Sequence, residues 1–407
     1  MLLTNLADRP GGGPKRPRVL HVIPSVAQSN GGPSKAIGQM ERVLAALGVE
    51  VVTATTDDDG PHGRLAVATG TAVACNGATR FYFPRQTGPY KVSLPMLRWL
   101  RREVPRFDLV HVHALFSFAP VTAAWIARGA GVPYIIRPLG VLNSYGMEQR
   151  RSRLKVLSMA LLEGRLLRDA AAVHFTADQE RMEAELLGVP MRSSVVALGI
   201  EPMPAVSADA FLAAHPTVGN RRLLFLSRID PKKNIEVLLE AVASSRSSIP
   251  GLSLIICGDG EAGYVAHLKA LSRGLGLGDS VVWAGHVEGV LKASAFAAAE
   301  LFVLPSISEN FGIAAVEALS AGLPCILGEG VAVAPRVAEA GAGVAIAPTA
   351  DAVAGAIITM LGATGGLAQA SAAARELAAS EYSLDAMGKG LMTMYASACA
   401  LDRSGRR

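Results

Sequence analysis

Glu309 and Glu317 are two carboxylates whose spacing around a helix start suggests ligand chemistry. The run that holds them, residues 305–324, reads PSISENFGIAAVEALSAGLP and begins inside an apolar, strand-like stretch. Asn310 can cap the helix, Gly312 lets the backbone approach a ligand, and the first helical amides favour an anion. Because carboxylates repel bound phosphate, both acids are better suited to accept hydrogen bonds from sugar hydroxyls beside a diphosphate. A nucleotide sugar has that layout, although each acid taken alone also fits a solvated surface position.

Two cations in the second half could bind the diphosphate. The sequence restarts there with RRLLFLSRIDPKKNIEVLLEAV, which predicts a strand over 222–227, a turn, and a helix capped by Asn234. The predicted helix has one apolar face, formed by Ile235, Leu238, Leu239 and Val242. Arg228 and Lys233 flank the turn, so a planar guanidinium and a point charge would meet at a strand end and a helix start. Two exposed surface charges are the alternative for this string on its own.

The first half supplies candidate residues at the ends of predicted strands. RVLHVIP predicts a strand that leads through Asn-Gly-Gly-Pro into an amphipathic helix, and DLVHVHA and PYIIRPLG predict two further strands. Gly31 and Gly32 permit either a close backbone approach to a ligand or only a tight turn. Ligands collect at the carboxyl ends of parallel strands, which is where His113 and Arg137 fall. His111 shares a strand face with His113, and a histidine in such a place is more often structural than catalytic.

The alternation of strands and helices predicts an α/β fold with doubly wound parallel sheets. A chain of 407 residues with 50% hydrophobic and 18% charged residues fits two globular domains. We expect a flexible segment over 1–17, domains over 18–200 and 201–380, and a final helical segment over 381–407. The interdomain linker is expected near 197–208.

Charge is unevenly distributed along the chain. The net charge of +5 divides into +9 over residues 1–200 and −4 over the remainder. The basic residues gather at two helix-like stretches, which predicts either a face bound to an anionic membrane or an ordinary solvated face. They are Arg98, Arg101, Arg102, Arg106, Arg150, Arg151, Arg153, Lys155, Arg165 and Arg168. Nucleic acid is a less suitable partner because these stretches lack interleaved aromatic residues.

Targeting and cysteine patterns point to an ordinary cytoplasmic protein. No run approaches the roughly 18 apolar residues of a membrane-spanning helix, and the first residues have no apolar core of signal-peptide length. We therefore expect a cytoplasmic location. The four cysteines are scattered with no C-x-x-C spacing, so neither a disulfide framework nor a zinc site is expected.

The carboxylate string resembles the E-x7-E signature of family 4 glycosyltransferases of the GT-B fold, and the resemblance covers most of the chain, about 18–400. It implies two Rossmann-like domains that face each other across a cleft. It also implies that Glu309 holds the donor sugar and that Glu317 holds the nucleotide ribose. Arg228 and Lys233 resemble the family's R-x4-K pair, which binds the donor diphosphate.

Other positions take their expected roles from the same resemblance. His113 matches the active-site histidine beside the donor sugar, and Arg137 begins a segment, RPLG, that is similar to the family's next segment. The remaining donor-binding positions are Gly31, Gly32, Gly258, Gly260, Val287, Asn310, Phe311, Gly312 and Ile313. The family often has an acid where Arg336 stands, which leaves the donor sugar open. The last helix of GT-B proteins crosses back onto the first domain.

The expected protein is a retaining glycosyltransferase that moves a sugar from a nucleotide donor to an acceptor hydroxyl. The implied acceptor is a saccharide or a lipid-linked molecule in surface polysaccharide or glycolipid assembly. His113, Glu309, Arg228 and Lys233 are the expected catalytic residues. No cofactor or metal is expected, because the two cations would stabilise the leaving diphosphate. A GT-B sugar-nucleotide epimerase and a non-catalytic sugar-nucleotide sensor are the alternatives.

Overall fold

The chain forms two compact units. The computed structural model describes residues 16–60, 63–142, 157–362 and 366–404. The first unit comprises the chain up to Gly199 together with the residues from Leu384 onward, and the second comprises Ile200–Ser383. The chain therefore leaves the first unit after Gly199 and returns to it after Ser383, beside the division points expected at 200 and 380.

Two sequence-based expectations concern residues outside those ranges. The expected flexible segment, 1–17, lies almost entirely beyond them. So do four of the basic residues, namely Arg150, Arg151, Arg153 and Lys155.

The first unit is built on an eight-stranded sheet. Its strands are β1 (Arg18–Val22), β2 (Glu50–Thr56), β3 (Ala72–Cys75), β4 (Ala78–Phe83), β5 (Leu109–His113), β6 (Tyr134–Arg137), β7 (Ala172–Phe175) and β8 (Ser193–Val195). Their order is β3-β4-β2-β1-β5-β6-β7-β8, and every pair is parallel except β3 with β4. Its helices, numbered in chain order over both units, are α1 (Gly32–Ala46), α2 (Leu94–Glu103), α3 (Phe118–Ala130), α4 (Gly164–Asp169), α5 (Asp178–Glu185) and α14 (Leu384–Ser404), and a π-helical turn over Met159–Glu163 precedes α4.

The central strands of this sheet are covered on both faces, as continuous apolar runs predict. All five residues of β5 are buried, and so are the last four of β1. Histidines interrupt both runs, at His21 in β1 and at His111 and His113 in β5. The sheet therefore carries several imidazole rings in its interior.

The antiparallel pair β3 and β4 is an edge hairpin that the sequence analysis did not predict. Asn76 and Gly77 form its two-residue turn, and their φ values are 55° and 78°. Asn-Gly is the usual sequence of a hairpin turn in which both central residues need positive φ. The Asn-Gly dipeptide could therefore have been used to predict this hairpin from the sequence.

Helix α14 completes the first unit from the far end of the chain by packing on α1. Gly388 makes that approach possible, because a Cβ at this position would lie 2.4 Å from Val43 Cγ1. Gly390 plays the same part against Val196, where the corresponding distance is 2.8 Å.

The second unit has a six-stranded, fully parallel sheet. Its strands are β9 (Arg221–Leu226), β10 (Leu252–Cys257), β11 (Val281–Gly285), β12 (Leu301–Leu304), β13 (Cys325–Gly328) and β14 (Gly343–Ile346), in the order β11-β10-β9-β12-β13-β14. Its helices are α6 (Asp209–Ala214), α7 (Ile235–Ser245), α8 (Ala262–Gly274), α9 (Gly289–Ala298), α10 (Ile313–Ala321), α11 (Ala334–Glu339), α12 (Ala350–Gly362) and α13 (Gly366–Glu381).

Both units are thus doubly wound α/β structures, which confirms the predicted fold class. The four residues predicted to form the apolar face of α7 are also confirmed, since all of them are fully buried. Among the described residues, no single helix has the length and hydropathy to cross a membrane, although the sharply bent pair α12 and α13 meets that test jointly.

Candidate active site

The strand order of each unit selects one place for a ligand. In the second unit the order runs outward from β9 on one side and from β12 on the other, so a crevice opens beyond the carboxyl ends of these two strands. In the first unit the same change of direction occurs between β1 and β5. The segments that follow these four strands hold most of the predicted site residues.

A short 3₁₀ helix, Pro231–Lys233, positions the predicted diphosphate cations after β9. Asp230 caps this helix, because its carboxylate accepts a hydrogen bond from the Lys232 amide at 3.1 Å. The Lys232 carbonyl in turn accepts from the Ile307 amide at 2.9 Å. This bond ties the segment after β9 to the segment after β12, and so brings Lys233 and Glu309 to the same place.

Lys233 and Glu309 form an ion pair with each other. The pair joins Lys233 Nζ to Glu309 Oε1, and the two side chains are only 12% and 21% exposed. The backbone of Glu309 is also fixed, because its amide donates to the Gly330 carbonyl and its carbonyl accepts from Ala332. Two residues predicted to bind different parts of a donor are therefore in direct contact with each other.

Lys233 lies in an electrostatic environment that favours an anion. Burial lowers the pKa of Lys233 to about 8, and the neighbouring positive charge of Arg228 adds to the shift. The carboxylate of Asp230 acts in the opposite direction, since it stabilises the charged ammonium. Arg228 is exposed and shares no ion pair with another described residue. Two cations that repel each other at a sheet crevice form a site for a polyanion.

Glu317 is buried, which excludes the solvated surface position for this acid. Its side chain is 7% exposed, and its Oε2 accepts a hydrogen bond from Lys292 Nζ at 2.7 Å. Lys292 belongs to α9 and Glu317 to α10. Sequence reasoning missed Lys292, because nothing in its local sequence distinguishes it from a surface lysine.

The start of α10 differs from the prediction at Asn310. The helix begins at Ile313, and its N-cap is Gly312, whose φ of 92° is left-handed. Asn310 lies two residues before the cap, so the prediction that it caps the helix was wrong. A Cβ on Gly312 would lie 2.9 Å from Val331 Cγ1, so both the backbone conformation and the packing require glycine. Phe311 is buried edge-on against Tyr382, with ring centroids 5.8 Å apart.

Gly258 and Gly260 allow the ends of β9 and β10 to lie close together. A Cβ on Gly258 would be 1.9 Å from the Ser227 carbonyl oxygen, and one on Gly260 would be 2.3 Å from that of Ile229. Both glycines also line a pocket of about 370 Å³, whose other walls include Lys269 and Trp283. Val287, another of the predicted donor-binding residues, is buried.

Arg336, where the family often has an acid, is committed to an ion-pair cluster. Its guanidinium donates to Glu381 at 2.5 and 3.0 Å and approaches Glu339 at 3.2 Å. An arginine at this position is therefore neutralised by two acids of its own unit.

The glycine loop of the first unit follows β1 and leads into α1. Gly31 is the N-cap of α1 with φ 63°, and Gly32 is the first helical residue. A Cβ on Gly31 would meet no atom within 4 Å. Glycine is therefore favoured at this position by the positive φ and not by close packing.

His113 and Arg137 lie side by side at the ends of β5 and β6. The two residues are register partners, and their side chains are buried. Among the described residues, His113 Nδ1 and the Nε and Nη1 of Arg137 have no hydrogen-bond partner. Burial lowers the pKa of Arg137 to about 10, so the guanidinium stays charged near neutral pH. Buried donors and acceptors are normally satisfied, and these are therefore available to a ligand.

Backbone strain surrounds the same two residues. Ala114, directly after His113, has φ 84°, and Leu139 in the RPLG segment has φ 60°. Such conformations cost about 1–3 kcal/mol each for residues with a side chain and cluster at functional sites. Glu180 holds this segment from α5, because its buried carboxylate accepts hydrogen bonds from Gly140 and from both donors of Thr176. Sequence reasoning missed Glu180.

An Asp-x-Asp string occurs in the first unit, at Asp57 to Asp59, and its carboxylates are engaged within that unit. Asp58 pairs with Arg85 and Lys91, and Asp57 accepts from the Arg85 amide at 2.7 Å. Asp59 accepts from the Ser29 hydroxyl.

Two family models match this chain. The one described as "Glycosyl transferase 4-like domain" matches residues 31–199, and the one described as "Glycosyl transferases group 1" matches residues 211–377. The first of these matches lies in the first unit and the second lies in the second unit.

Individual proteins give the same result. The D-inositol 3-phosphate glycosyltransferase of Rhodococcus erythropolis is 29% identical over 426 aligned residues, which cover 96% of this chain and 93% of the relative. The D-inositol 3-phosphate glycosyltransferase 2 of Catenulispora acidiphila is 30% identical over 345 residues, or 78% of each chain. The solved structure of Anabaena HepE in complex with UDP-glucose has a TM-score of 0.71 at 17% identity, over 92% of this chain and 98% of that one.

The structural likeness shows the fold, and the matches of sequence show the family. The strand orders, the placement of both predicted motifs at the crevices and these comparisons agree. The chain belongs to the family 4 glycosyltransferases, and its two Rossmann-like units are those of the GT-B fold.

Proposed function

We propose that this glycosyltransferase is a retaining, metal-independent enzyme that takes its sugar from a nucleotide-sugar donor. The observation that carries the proposal is the pair formed by Lys233 and Glu309 beside Arg228. It places two cations and one carboxylate where a doubly wound sheet binds its ligand. In the named complex of Anabaena HepE, the bound molecule is UDP-glucose, which is a donor of this class.

Donor binding would separate the ion pair. The diphosphate would take Lys233 and Arg228 as its counter-ions, and Glu309 would then be free to accept a hydrogen bond from a sugar hydroxyl. Glu317, already buried and oriented by Lys292, would accept from the ribose. The cations would carry the charge that grows on the leaving diphosphate, which is the task that a metal performs in other sites.

The proposed transfer step uses this arrangement. The acceptor oxygen bonds to the anomeric carbon as the bond from that carbon to the diphosphate oxygen breaks. The acceptor's proton passes to the departing phosphate oxygen on the same face, so the product keeps the anomeric configuration of the donor. Arg228 and Lys233 stabilise the leaving group throughout.

Binding of nucleoside diphosphate should take up protons at pH 8. Lys233, with a pKa of about 8, is then only about half protonated, and a bound anion raises that pKa. The diphosphate itself is already fully ionised, since a terminal phosphate has its last pKa at about 6. Calorimetry in two buffers of different ionisation enthalpy should therefore report up to about half a proton per site.

Lys233→Arg is the matched control for that measurement. Arginine keeps its charge at pH 8, so this variant should bind without proton uptake. Equal uptake by both proteins would assign the proton to another group and remove Lys233 from the diphosphate site.

The acceptor is proposed to be a polyol or saccharide hydroxyl, either free or carried on a lipid, in glycolipid or polysaccharide assembly. The two relatives described above are named for D-inositol 3-phosphate, which is a phosphorylated polyol. A lipid-linked acceptor would bring the enzyme to the inner face of the cell membrane from the cytoplasm. Arg98 and Arg101 support that contact, because both are exposed on α2 and are not paired with Glu103 as Arg102 and Arg106 are.

One assay tests the function. Nucleotide sugars are screened for release of nucleoside diphosphate, with D-inositol 3-phosphate or with a lipid-linked saccharide in neutral or anionic vesicles. We expect release that needs an acceptor, persists in saturating chelator and gives a product with the donor's anomer. Salt should weaken only the arm with anionic vesicles. An inverted product or loss of activity in chelator would refute the mechanism, and turnover of the sugar nucleotide without acceptor would favour an epimerase.

A further inference from the structure

Five buried side chains of the first unit are joined by hydrogen bonds into one continuous series, the histidine relay. They are His21 of β1, His111 and His113 of β5, His174 of β7 and Tyr395 of α14, and each is 0–1% exposed. The mechanism proposed above uses only His113. The other four are polar groups in the interior of the sheet, where apolar residues are the norm.

The relay runs without a break from the Val196 backbone carbonyl to His113. His174 Nε2 lies 2.9 Å from the Val196 carbonyl oxygen, and His174 Nδ1 lies 3.3 Å from His111 Nε2. His111 Nδ1 lies 2.9 Å from the Tyr395 hydroxyl, which is 3.4 Å from His21 Nε2. His21 Nδ1 lies 2.8 Å from His113 Nε2.

All four imidazoles are neutral near neutral pH. Burial lowers the pKa of His21 to about 4 and that of His174 to about 3, and the charge of Arg137 lowers both further. Burial is also the main cause that holds the pKa values of His111 and His113 well below the ordinary value. Each ring therefore carries one proton, on one of its two nitrogens.

The Val196 carbonyl fixes the donor-to-acceptor direction of every hydrogen bond in the relay. A carbonyl can only accept, so His174 carries its proton on Nε2 and leaves Nδ1 bare. His111 must then donate from Nε2 to His174, and its bare Nδ1 accepts from the Tyr395 hydroxyl. The Tyr395 oxygen accepts from His21 Nε2, and the bare His21 Nδ1 accepts from His113 Nε2. The reversed order would set two lone pairs against each other at Val196.

We infer that this relay fixes His113 as the Nε2–H tautomer and presents its bare Nδ1 to the ligand as a hydrogen-bond acceptor. His21, His111, His174 and Tyr395 are positioning residues in this scheme. His113 Nδ1 is the one nitrogen of the four rings that has no described partner. The inference rests on the proposed function only in taking the ligand to be a sugar.

The neighbouring guanidinium identifies the kind of group that fits. Arg137 is the register partner of His113, and its Nε and Nη1 offer N–H groups without a described partner. A bare nitrogen and a donor side by side match a hydroxyl, which donates to one and accepts from the other. His113 would thus accept from a sugar hydroxyl, whereas a charged imidazolium would donate.

A metal ion is the competing interpretation of the same rings. His21, His111 and His113 have potential ligand atoms within 4.8 Å of one another. Both nitrogens of His21 and His111, however, already face partners in the relay. The rings of His21 and His113 are also nearly parallel, with a 12° interplanar angle, so their lone pairs do not converge on one point. The observed orientation of the rings therefore fits the hydrogen-bonded relay better than a metal site.

The direct test is the tautomer of each ring in the full chain. Histidine is labelled with ¹⁵N, and two-bond ¹H–¹⁵N correlation spectra identify the protonated nitrogen, with His113→Gln to assign that residue. We expect all four buried rings as Nε2–H tautomers, unchanged by added Zn²⁺. A proton on His113 Nδ1, an imidazolium, or stoichiometric loss of these signals with Zn²⁺ would overturn the inference.

Tyr395→Phe tests the relay, and Tyr134→Phe is its control. Both tyrosines are buried in the first unit, but the Tyr134 hydroxyl donates to the Leu166 carbonyl, outside the relay. In Tyr395→Phe, His174 and His111 should keep their tautomer, while His21 and His113 should become mixtures. Tyr134→Phe should leave all four rings unchanged. Unaltered His113 in Tyr395→Phe would show that the relay does not set its tautomer.

The ligand side is tested with whichever donor the screen identifies. Removing one sugar hydroxyl should slow transfer about fivefold, as the loss of one hydrogen bond would. His113→Phe should reduce the dependence on that same hydroxyl, because only its bond from Arg137 would then remain. If no single deoxy donor behaves in this way while the tautomers are as expected, His113 does not accept from the sugar. Failure of the screen itself would count against the proposed function and leave the spectra to decide the relay.

Discussion

Glu309→Gln should slow sugar transfer roughly ten- to a hundredfold and leave the binding of nucleoside diphosphate unchanged or tighter. Transfer falls because the variant loses a charge-assisted acceptor, worth about 1.5–3 kcal/mol, to a donor-sugar hydroxyl. Binding does not fall because Glu309 now holds Lys233, and the neutral amide no longer competes with the diphosphate for that cation. Transfer rates and calorimetric binding of the bare diphosphate measure the two effects.

Glu317→Gln is the matched variant, and it should behave in the opposite way. Its carboxylate is assigned to the ribose, so the bare diphosphate nucleotide should bind more weakly whether or not a sugar is attached. The double variant Glu317→Gln with Lys292→Met removes the cation that would otherwise be left without its partner. The assignment of the two acids is wrong if Glu309→Gln weakens the nucleotide as much as Glu317→Gln does, or if neither variant has an effect.

Acidification from pH 6.5 towards pH 4 should destabilise the first unit before the second. The buried histidines have folded pKa values below their unfolded value of about 6.5, so the unfolded chain binds more protons in this range. Stability is therefore fully present above pH 6.5 and is lost as the pH falls. For His21, with a pKa of about 4, the loss is roughly 3 kcal/mol, and His174 extends it to lower pH.

Hydrogen exchange measured by mass spectrometry resolves the two units. After correction for the intrinsic effect of pH, amides of β1 and β5 should lose protection, while those of β9 and β12 should keep it. The second unit is the internal control, because none of its described histidines, His215, His267 and His286, is buried. Parallel loss in both units would mean that the histidine relay is not the acid-sensitive element.

Much of the fold could be predicted because its signals are local. The strand–loop–helix run around Arg228 and Lys233 has the apolar period of each element, and the structure places those elements as expected. The same holds for β5 and β6, whose ends carry His113 and Arg137. Local sequence decides these features, since strand periodicity and turn residues act over only a few positions.

The missed features depend on contacts between distant residues or on a single backbone angle. Lys292 reaches Glu317 across 25 positions, and Tyr395 reaches His111 across 284. No local pattern could pair them. The capping role predicted for Asn310 was wrong for a different reason. Gly312 adopts a left-handed conformation and is itself the N-cap, so the helix starts two residues later than a cap at Asn310 would require.

Because α14 belongs to the first unit, that unit can be completed only after the second unit has been synthesised. A ribosome synthesises this helix after the whole second unit, yet its Tyr395 hydroxyl is the middle link between His111 and His21. Until then, the His174–His111 pair and the His21–His113 pair have no group that joins one pair to the other. The N-terminal half therefore cannot reach its native interior during its own translation, and a chain that ends early lacks the group that would set the state of His113.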